Sequence, residues 1–369
     1  VYRQKKPKSK KRLLLLLVII ILVPLGIALS TRLEGGKPQV TMTPDLAAIG
    51  MKQSLTVSVS DQKSGLRRIW LAIDKDGKET VLLEKSAPWN GLLLGGMVKE
   101  ENLQVEIEPK KLGLTDGKAT LRLLAADFSW RGWLSGNRTY IEKPILIDTV
   151  PPRISVLTRA HNLTQGGAGV IVYRLSEACP ESGVLVGDQF YPGRNGHFKS
   201  DATHMAFFAL GFDQPPDTKM VVRAVDTAGN AVQSGFPHYI RKKRFKKDKL
   251  TISDRFLNRK LPDFSTDLSE KGLETFKDKF LYINRDLRRS SYEKVIAITR
   301  QSADQMLWEG VFKRFPNSAR KAGFADHREY LYNGEIVDRQ VHMGIDLAAV
   351  AQAQVPAGNN GTVVFTGVI

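Results

Sequence analysis

From Pro38 to about Ile240, apolar and polar positions alternate in short runs. "SLTVSVSD" (Ser54–Asp61) sets Leu55, Val57 and Val59 against serine and threonine; "IWLAID" (Ile69–Asp74) follows, then the turn "KDGK". "ATLRLLAAD" (Ala119–Asp127) and "KMVVRAVD" (Lys219–Asp226) read the same way. Successive strand side chains point to opposite faces, so each run predicts an antiparallel strand with one buried face, bounded by Gly, Asp, Asn and Pro turns. Two stretches depart from this rhythm. Leu13–Leu29 is apolar throughout. Ser265–Arg289 carries Leu268, Leu273, Phe276 and Phe280 at helical spacing, with Ser265 or Thr266 as the cap, and "SSYEKVIAITRQSADQMLWEG" (Ser290–Gly310) begins as helix. Strands are then expected to resume in "LWEGVFKRF" and in "REYLYNGEIVDRQVHMGID", with "YNGE" (Tyr332–Glu335) as a hairpin turn.

The alternating region also repeats. "PQVTM" (Pro38–Met42) matches "PRISV" (Pro152–Val156), and "SDQKSGL" (Ser60–Leu66) matches "SEACPESGV" (Ser176–Val184). "LLAADFSWRGWLSGN" (Leu123–Asn137) matches "VVRAVDTAGN" (Val221–Asn230), in the same order. A unit of roughly 100 residues is the size of a β-sandwich. "DTVPP" (Asp148–Pro152) forms a stiff joint, because proline disfavours helix before it and donates no hydrogen bond. The two copies, 38–150 and 151–240, resemble bacterial immunoglobulin-like modules in tandem, and the resemblance implies spacers that hold something away from a surface. Asp226 and Asn230 suggest either calcium ligands or, as Asx residues do, a shaped turn; the turn is the expectation.

The run Leu13–Leu29 follows seven Lys or Arg among the first twelve residues (Arg3, Lys5, Lys6, Lys8, Lys10, Lys11, Arg12). Its seventeen residues, at about 1.5 Å each, just reach across a hydrocarbon core of roughly 30 Å if the flanks snorkel. The positive-inside rule keeps the basic flank in the cytoplasm, which places the rest of the chain on the periplasmic or extracellular side of the cytoplasmic membrane. Residues 13–30 are therefore expected to be a single-pass anchor. A cleaved signal peptide is the alternative, with Ala28 and Ser30 as small residues and Pro24 and Gly26 breaking the run.

Composition adds limits. The chain has 369 residues, 42% hydrophobic and 25% charged, as an ordinary globular protein does. Its net charge of +17 is concentrated in the amino-terminal flank and in "RKKRFKKDK" (Arg241–Lys249). Only Phe245 accompanies these runs, so a base-stacking surface is not indicated and no nucleic-acid partner is expected. Residues 241–310 read as a basic linker followed by a short helical segment. Cys179 stands alone, which excludes an internal disulfide and a thiolate zinc site.

The remaining segment carries the chemistry. "QVHMGIDLA" (Gln340–Ala348) contains H-x-G-x-D, with His342 and Asp346 four apart around Gly344. Imidazole nitrogen and carboxylate oxygen both bind zinc, and the glycine lets the backbone turn so that both side chains face one ion. With its surroundings, "VDRQVHMGIDLAAVAQAQVPAGNNGTVVFTG", the motif resembles the opening of the M23 (LytM-type, lysostaphin-like) zinc peptidases over about 45 residues from Gly323 onward. The resemblance implies that His342 and Asp346 are two of three Zn2+ ligands, that the third comes from a later H-x-H pair, and that residues 311–369 form the first part of a LytM-type β peptidase domain. The given sequence stops at Ile369 inside a strand-like run, "GTVVFTGVI", and is expected to continue. His327 is expected to be structural or to sit behind the ligands.

The fold class expected is thus mainly β: an amino-terminal transmembrane helix, two immunoglobulin-like sandwiches, a short helical segment and an incomplete peptidase domain. The function implied by the resemblance is a membrane-anchored zinc endopeptidase cleaving peptidoglycan cross-bridges, with cell-envelope proteins as further partners. Two alternatives stand beside it: a non-catalytic relative that activates other cell-wall hydrolases, and a surface scaffold or adhesion protein.

Overall fold

The computed structural model describes residues 10–91, 95–264, 268, 271–303 and 305–369. The basic residues Arg3 to Lys8 and the capping candidates Ser265 and Thr266 lie outside them. The protein is mainly β. By packing, the chain divides into two compact units, Val1–Ile154 with Leu175–Ser182 and Arg223–Gln233, and Ser155–Arg174 with Gly183–Val222 and Ser234–Ile369.

The first unit opens with α1 (Lys10–Arg32), 23 residues long. Pro24 lies inside the helix, so Pro24 and Gly26 do not break it as the sequence suggested. Every described side chain from Leu14 to Ile27 is exposed. Among the described residues no helix is long and apolar enough to cross a membrane, the described side chains of α1 running unbroken only from Leu14 to Ile27.

Eight strands follow: β1 (Gln39–Thr43), β2 (Ala48–Ile49), β3 (Gln53–Ser60), β4 (Leu66–Lys75), β5 (Lys78–Ser86), β6 (Glu100–Ile107), β7 (Gly117–Asp127) and β8 (Arg138–Ile147). They make a three-stranded sheet, β1-β3-β6, and a five-stranded sheet, β2-β8-β7-β4-β5. Leu55, Val57, Val59 and Ile107 of the first sheet share one core with Leu71, Ile73, Leu121, Leu123 and Ile147 of the second. These are the inward positions of the sequence alternation, and each such side chain contributes about 2 kcal/mol on burial. Two sheets with one core between them make a β-sandwich.

The second repeat uses β9 (Ile154–Val156), β10 (His161–Thr164), β11 (Ala168–Leu175), β12 (Glu181–Val186), β13 (Gln189–Pro192), β14 (Thr203–Ala209), β15 (Met220–Val225), β16 (Ala231–Gly235) and β17 (His238–Arg241). Its sheet orders are β14-β11-β9, β13-β12-β15-β16 and β10-β17. Strand for strand this copies the first repeat, with the continuous β8 replaced by β16 and β17. Pro237 falls in the break, and proline cannot supply the ladder N–H.

The division into units does not follow the joint at Asp148–Pro152. Leu175–Ser182 and Arg223–Gln233 belong to the first unit, and Asn230 shows one reason. Its Oδ1 accepts from the Met51 N–H at 2.7 Å and its Nδ2 donates to the Asp148 carbonyl at 2.8 Å.

In the second unit the basic stretch is more than a linker. β18 (Lys247–Ile252) pairs in parallel with β20 (Asp326–Tyr332), from Lys247 opposite His327 to Ile252 opposite Tyr332. β20 pairs antiparallel with β21 (Glu335–His342), giving the order β18-β20-β21. Charge hid this strand in the sequence: β18 is an edge, where lysines discourage pairing with another chain. A parallel pair needs a crossover, and helices supply part of it: α2 (Asp254–Lys260), α3 (Phe276–Tyr282) and α4 (Arg288–Thr299). Thr275 caps α3 by accepting from the Asp278 N–H. A π-type turn, Ile283–Leu287, joins α3 to α4. Two expected strands are absent: Leu307–Phe315 and Gly361–Ile369 contain none. Most of their apolar residues are exposed, among them Val311 at 88% and Val368 at 96%, and among the described residues no partner sheet buries one face of either run.

Candidate metal centre

The β20–β21 hairpin sets the site. Asn333 and Gly334 turn it with φ of 51° and 85°, the left-handed pair that a tight hairpin needs. Asp326 lies directly opposite His342, so both project from the same face of the hairpin. The preceding loop folds back on this end: Ala325 N–H donates to the His342 carbonyl at 2.7 Å, and Gly323 N–H donates to Asp326 Oδ2 at 2.7 Å. That brings the Gly323 carbonyl to 2.8 Å from His342 Nδ1.

A carbonyl only accepts, so Nδ1 carries a proton. In the neutral ring the lone pair is then on Nε2. Nε2 lies 3.1 Å from Oδ1 of Asp346, the first residue of β22 (Asp346–Ala348), which pairs with β19 (Ala319–Ala322). A lone pair and a carboxylate oxygen at that separation repel unless a cation joins them, either a second ring proton or a metal. Two ligands at about 2.0–2.2 Å from a tetrahedral zinc stand roughly 3.3–3.5 Å apart, close to what is seen. The Gly323 carbonyl does what outer-shell partners of metal-binding histidines do, fixing tautomer and ring plane.

Arg328 on β20 also approaches Asp346, with Nη2 3.6 Å from Oδ2. His327 does not join. It is paired opposite Val341, one position out of phase with His342, and its ring packs at 6.0 Å and 6.4 Å from those of Phe212 and Phe245. Among the described residues, no third His, Cys, Asp or Glu forms a metal-holding group with His342 and Asp346. The pair thus fits two ligands of a zinc site. Gly323, Asp326 and Arg328, which build its surround, carried no signal of their own in the sequence, because their roles depend on the fold-back of the loop.

Two other groups have metal-like spacing, and they occupy equivalent places in the repeats: Glu34, Asp61 and Asp127, and Asp148, Glu177 and Asp226. Their first task is turn building. Asp127 Oδ1 accepts from the N–H groups of Ser129 and Asn137, and Asn137 Nδ2 donates to Asp127 Oδ2. Asp226 repeats this with Ala228, Asn230 and the Asn230 amide. Burial pushes the Asp127 carboxyl above its ordinary range, against the pull of those hydrogen bonds. Burial, with Glu177 and Asp226 nearby, pushes the Cys179 thiol up to about 11, so it is not a reactive thiolate.

No family model matches the chain, and no curated protein matches it. Solved structures are similar over part of it. A Bacteroides ovatus mixed-linkage glucan utilization protein, SGBP-B in complex with a mixed-linkage heptasaccharide, is 11% identical, with a TM-score of 0.17, over 59% of this chain. The chain spans about half of that protein, 51% of its length. The I9–I11 tandem of titin is 13% identical, with a TM-score of 0.22, over 56% of this chain and 67% of its own. The Ig1-2 module of the Drosophila receptor tyrosine phosphatase DLAR is 12% identical, with a TM-score of 0.21, over 57% of this chain and all of its own (100%). At these values the likeness adds nothing to what the strand pairing already shows.

Proposed function

We propose that the chain belongs to an envelope-facing zinc endopeptidase of the LytM type, acting on peptidoglycan cross-bridges. It would be held to the cytoplasmic membrane by α1 and spaced from it by two immunoglobulin-like modules. The observation that carries the reading is the His342–Asp346 pair, a lone pair and a carboxylate turned toward each other at 3.1 Å with the far ring nitrogen already engaged. Bound there, zinc would supply hydroxide near neutral pH and polarise the scissile carbonyl. His342 would bind through Nε2, Gly323 would hold its ring, and Asp346 would offer its exposed carboxylate. The resemblance assigns the third ligand and the proton-transferring histidine to an H-x-H pair, and no histidine of the given sequence comes after His342. The apolar, exposed run Leu14–Ile27 of α1 supports the anchor, since a helix surface hydrophobic all round is stable only when something apolar surrounds it.

The test is zinc content and muropeptide release by the whole gene product. His342→Ala and Asp346→Ala should each lose bound zinc and activity, and a chelator should abolish release. Release that survives both chelation and His342→Ala rules the mechanism out. A second reading is favoured by the fact that only two donors meet among the described residues: a non-catalytic relative that activates other hydrolases. It predicts no release by the pure protein and stimulation of a partner hydrolase that His342→Ala leaves intact.

A further inference from the structure

We propose that the membrane-facing end of the first module binds a phospholipid headgroup, with Trp133 seated in the bilayer interface. The proposal rests on α1 being the anchor.

The loop after β7 is fastened to the end of that helix. Trp130 N–H donates to the carbonyl of Arg32, the last residue of α1, at 2.7 Å, and Arg131 Nε donates to the Leu33 carbonyl at 3.4 Å. Three successive residues there, Gly132, Trp133 and Leu134, have φ of 58°, 54° and 67°. The left-handed region costs a residue with a side chain about 1–2 kcal/mol. Its result is to project the Trp133 ring into solvent, 100% exposed, with Leu134 beside it at 56%. A bare indole within one loop of the end of a helix with an apolar, exposed run (Leu14–Ile27) is placed where tryptophan partitions, at headgroup depth.

Behind the loop lies a groove of about 630 Å³, lined among others by Arg32, Arg67, Arg68, Trp89 and Trp130. Among the described residues, the N–H groups Arg32 Nε and Trp130 Nε1 of two lining residues are closed to solvent and have no hydrogen-bond partner. Arg32 is only 2% exposed, and its guanidinium carbon sits 6.0 Å from the centre of the Trp130 ring. Arg67 is exposed and donates to the Leu134 and Ser135 carbonyls, with no carboxylate paired to it among the described residues. Arg68 is paired with Glu84 at 2.8 Å, and that carboxylate also lines the groove. Buried Glu34, Asp61 and Asp127 face Arg32 from the protein side. A phosphodiester supplies the charge that Arg67, on the open side of the groove, lacks. A membrane supplies that phosphodiester at the depth where α1 ends.

The test uses the full chain reconstituted in nanodiscs of phosphatidylcholine with and without phosphatidylglycerol, some carrying bromines high on the acyl chain. The wild type should show tryptophan quenching, and Trp133→Phe should remove about half of it or more, as an interfacial indole requires. Native mass spectrometry after detergent extraction should find phosphatidylglycerol retained by the wild type. Arg67→Gln with Trp130→Phe should reduce retention several-fold while inorganic phosphate fails to displace the lipid. Resistance to alkaline carbonate reports the anchor separately. Release by carbonate overturns the anchor and this proposal with it. Retention in the membrane with unchanged quenching in Trp133→Phe, or unchanged lipid retention in the double variant, overturns this proposal alone.

Discussion

Asn284, in the π-type turn between α3 and α4, donates through Nδ2 to Asp338 Oδ2 on β21 at 2.6 Å. Both residues are buried. Arg285 Nε reaches Asp338 Oδ1 at 2.8 Å, Gln340 Nε2 adds a bond to Oδ2 at 3.0 Å, and Arg288 in turn donates to the Asn284 amide oxygen. One carboxylate thus fixes the helical segment to the strand that ends in His342.

This tie should be visible in acid. Burial pushes the Asp338 carboxyl up, but the bonds from Gln340, Arg285 and Asn284 outweigh it and hold the group below its usual range. An acid held down in the folded state contributes stability that is complete above its unfolded value, about 3.9, and is lost as pH falls through the lower folded value. Asp338→Asn should therefore flatten the pH dependence of the urea midpoint below about pH 4, and at pH 7 it should destabilise the second unit by about 1.5–3 kcal/mol, the cost of losing charge-assisted hydrogen bonds. Urea unfolding followed by hydrogen exchange at the β20–β21 peptides measures both.

In the first unit, Gly50 touches the Asp226–Asn230 turn so closely that an added Cβ would stand 2.6 Å from the Ala228 carbonyl and from Asn230 Oδ1. Gly50→Ala should lower stability by about 1–3 kcal/mol, as overpacking does. Asn230→Ala, which removes the bonds to Met51 and Asp148, should cost a similar amount. The two substitutions together should cost less than their sum, because they disturb one contact; thermal melts of the four proteins of the cycle test this.

Cys179 should behave as an inert thiol. With the thiol raised to about 11, its thiolate fraction at pH 8 is about two orders of magnitude below that of an ordinary cysteine. Alkylation by iodoacetamide should be correspondingly slow and should keep accelerating past pH 10, followed by intact-mass spectrometry.

Arg328 shares Asp346 with the proposed zinc. Removing this competing cation should tighten binding: Arg328→Ala should lower the zinc Kd by about three- to fivefold, in line with an exposed ion pair worth up to about 1 kcal/mol. A competition titration with a chromogenic chelator reads the change, and weaker binding would instead make Arg328 a support for the carboxylate.

Much of this molecule could be read before its structure. The β1–β8 core is the sequence alternation made physical, and the match between "LLAADFSWRGWLSGN" and "VVRAVDTAGN" reappears as two turns with the same hydrogen bonds around Asp127 and Asp226. The Asn-Gly hairpin before His342 is equally local. Misreadings arose where local pattern and long-range pairing disagree. β18 reads as a charged linker because only Ile252 of its residues is buried, and its strand character comes from a partner more than 70 positions away. "GTVVFTGVI" has strand composition, yet no neighbour among the described residues pairs with it. Likewise, the closeness of His342 and Asp346 was legible as a motif, whereas the Gly323 carbonyl at the histidine's other nitrogen was not.

The parallel pairs in the two repeats have a mechanical consequence. β2 runs alongside the end of β8, Ala48 opposite Leu146 and Ile49 opposite Ile147, and β10 runs alongside β17 from His161 opposite His238 to Thr164 opposite Arg241. When a chain is pulled from both ends, parallel terminal strands are dragged past each other, so their hydrogen bonds share the load and must rupture together rather than peel one at a time. A chain tensioned through its two ends would yield last at these ladders, and the longer β10–β17 ladder should give the higher rupture force in single-molecule extension.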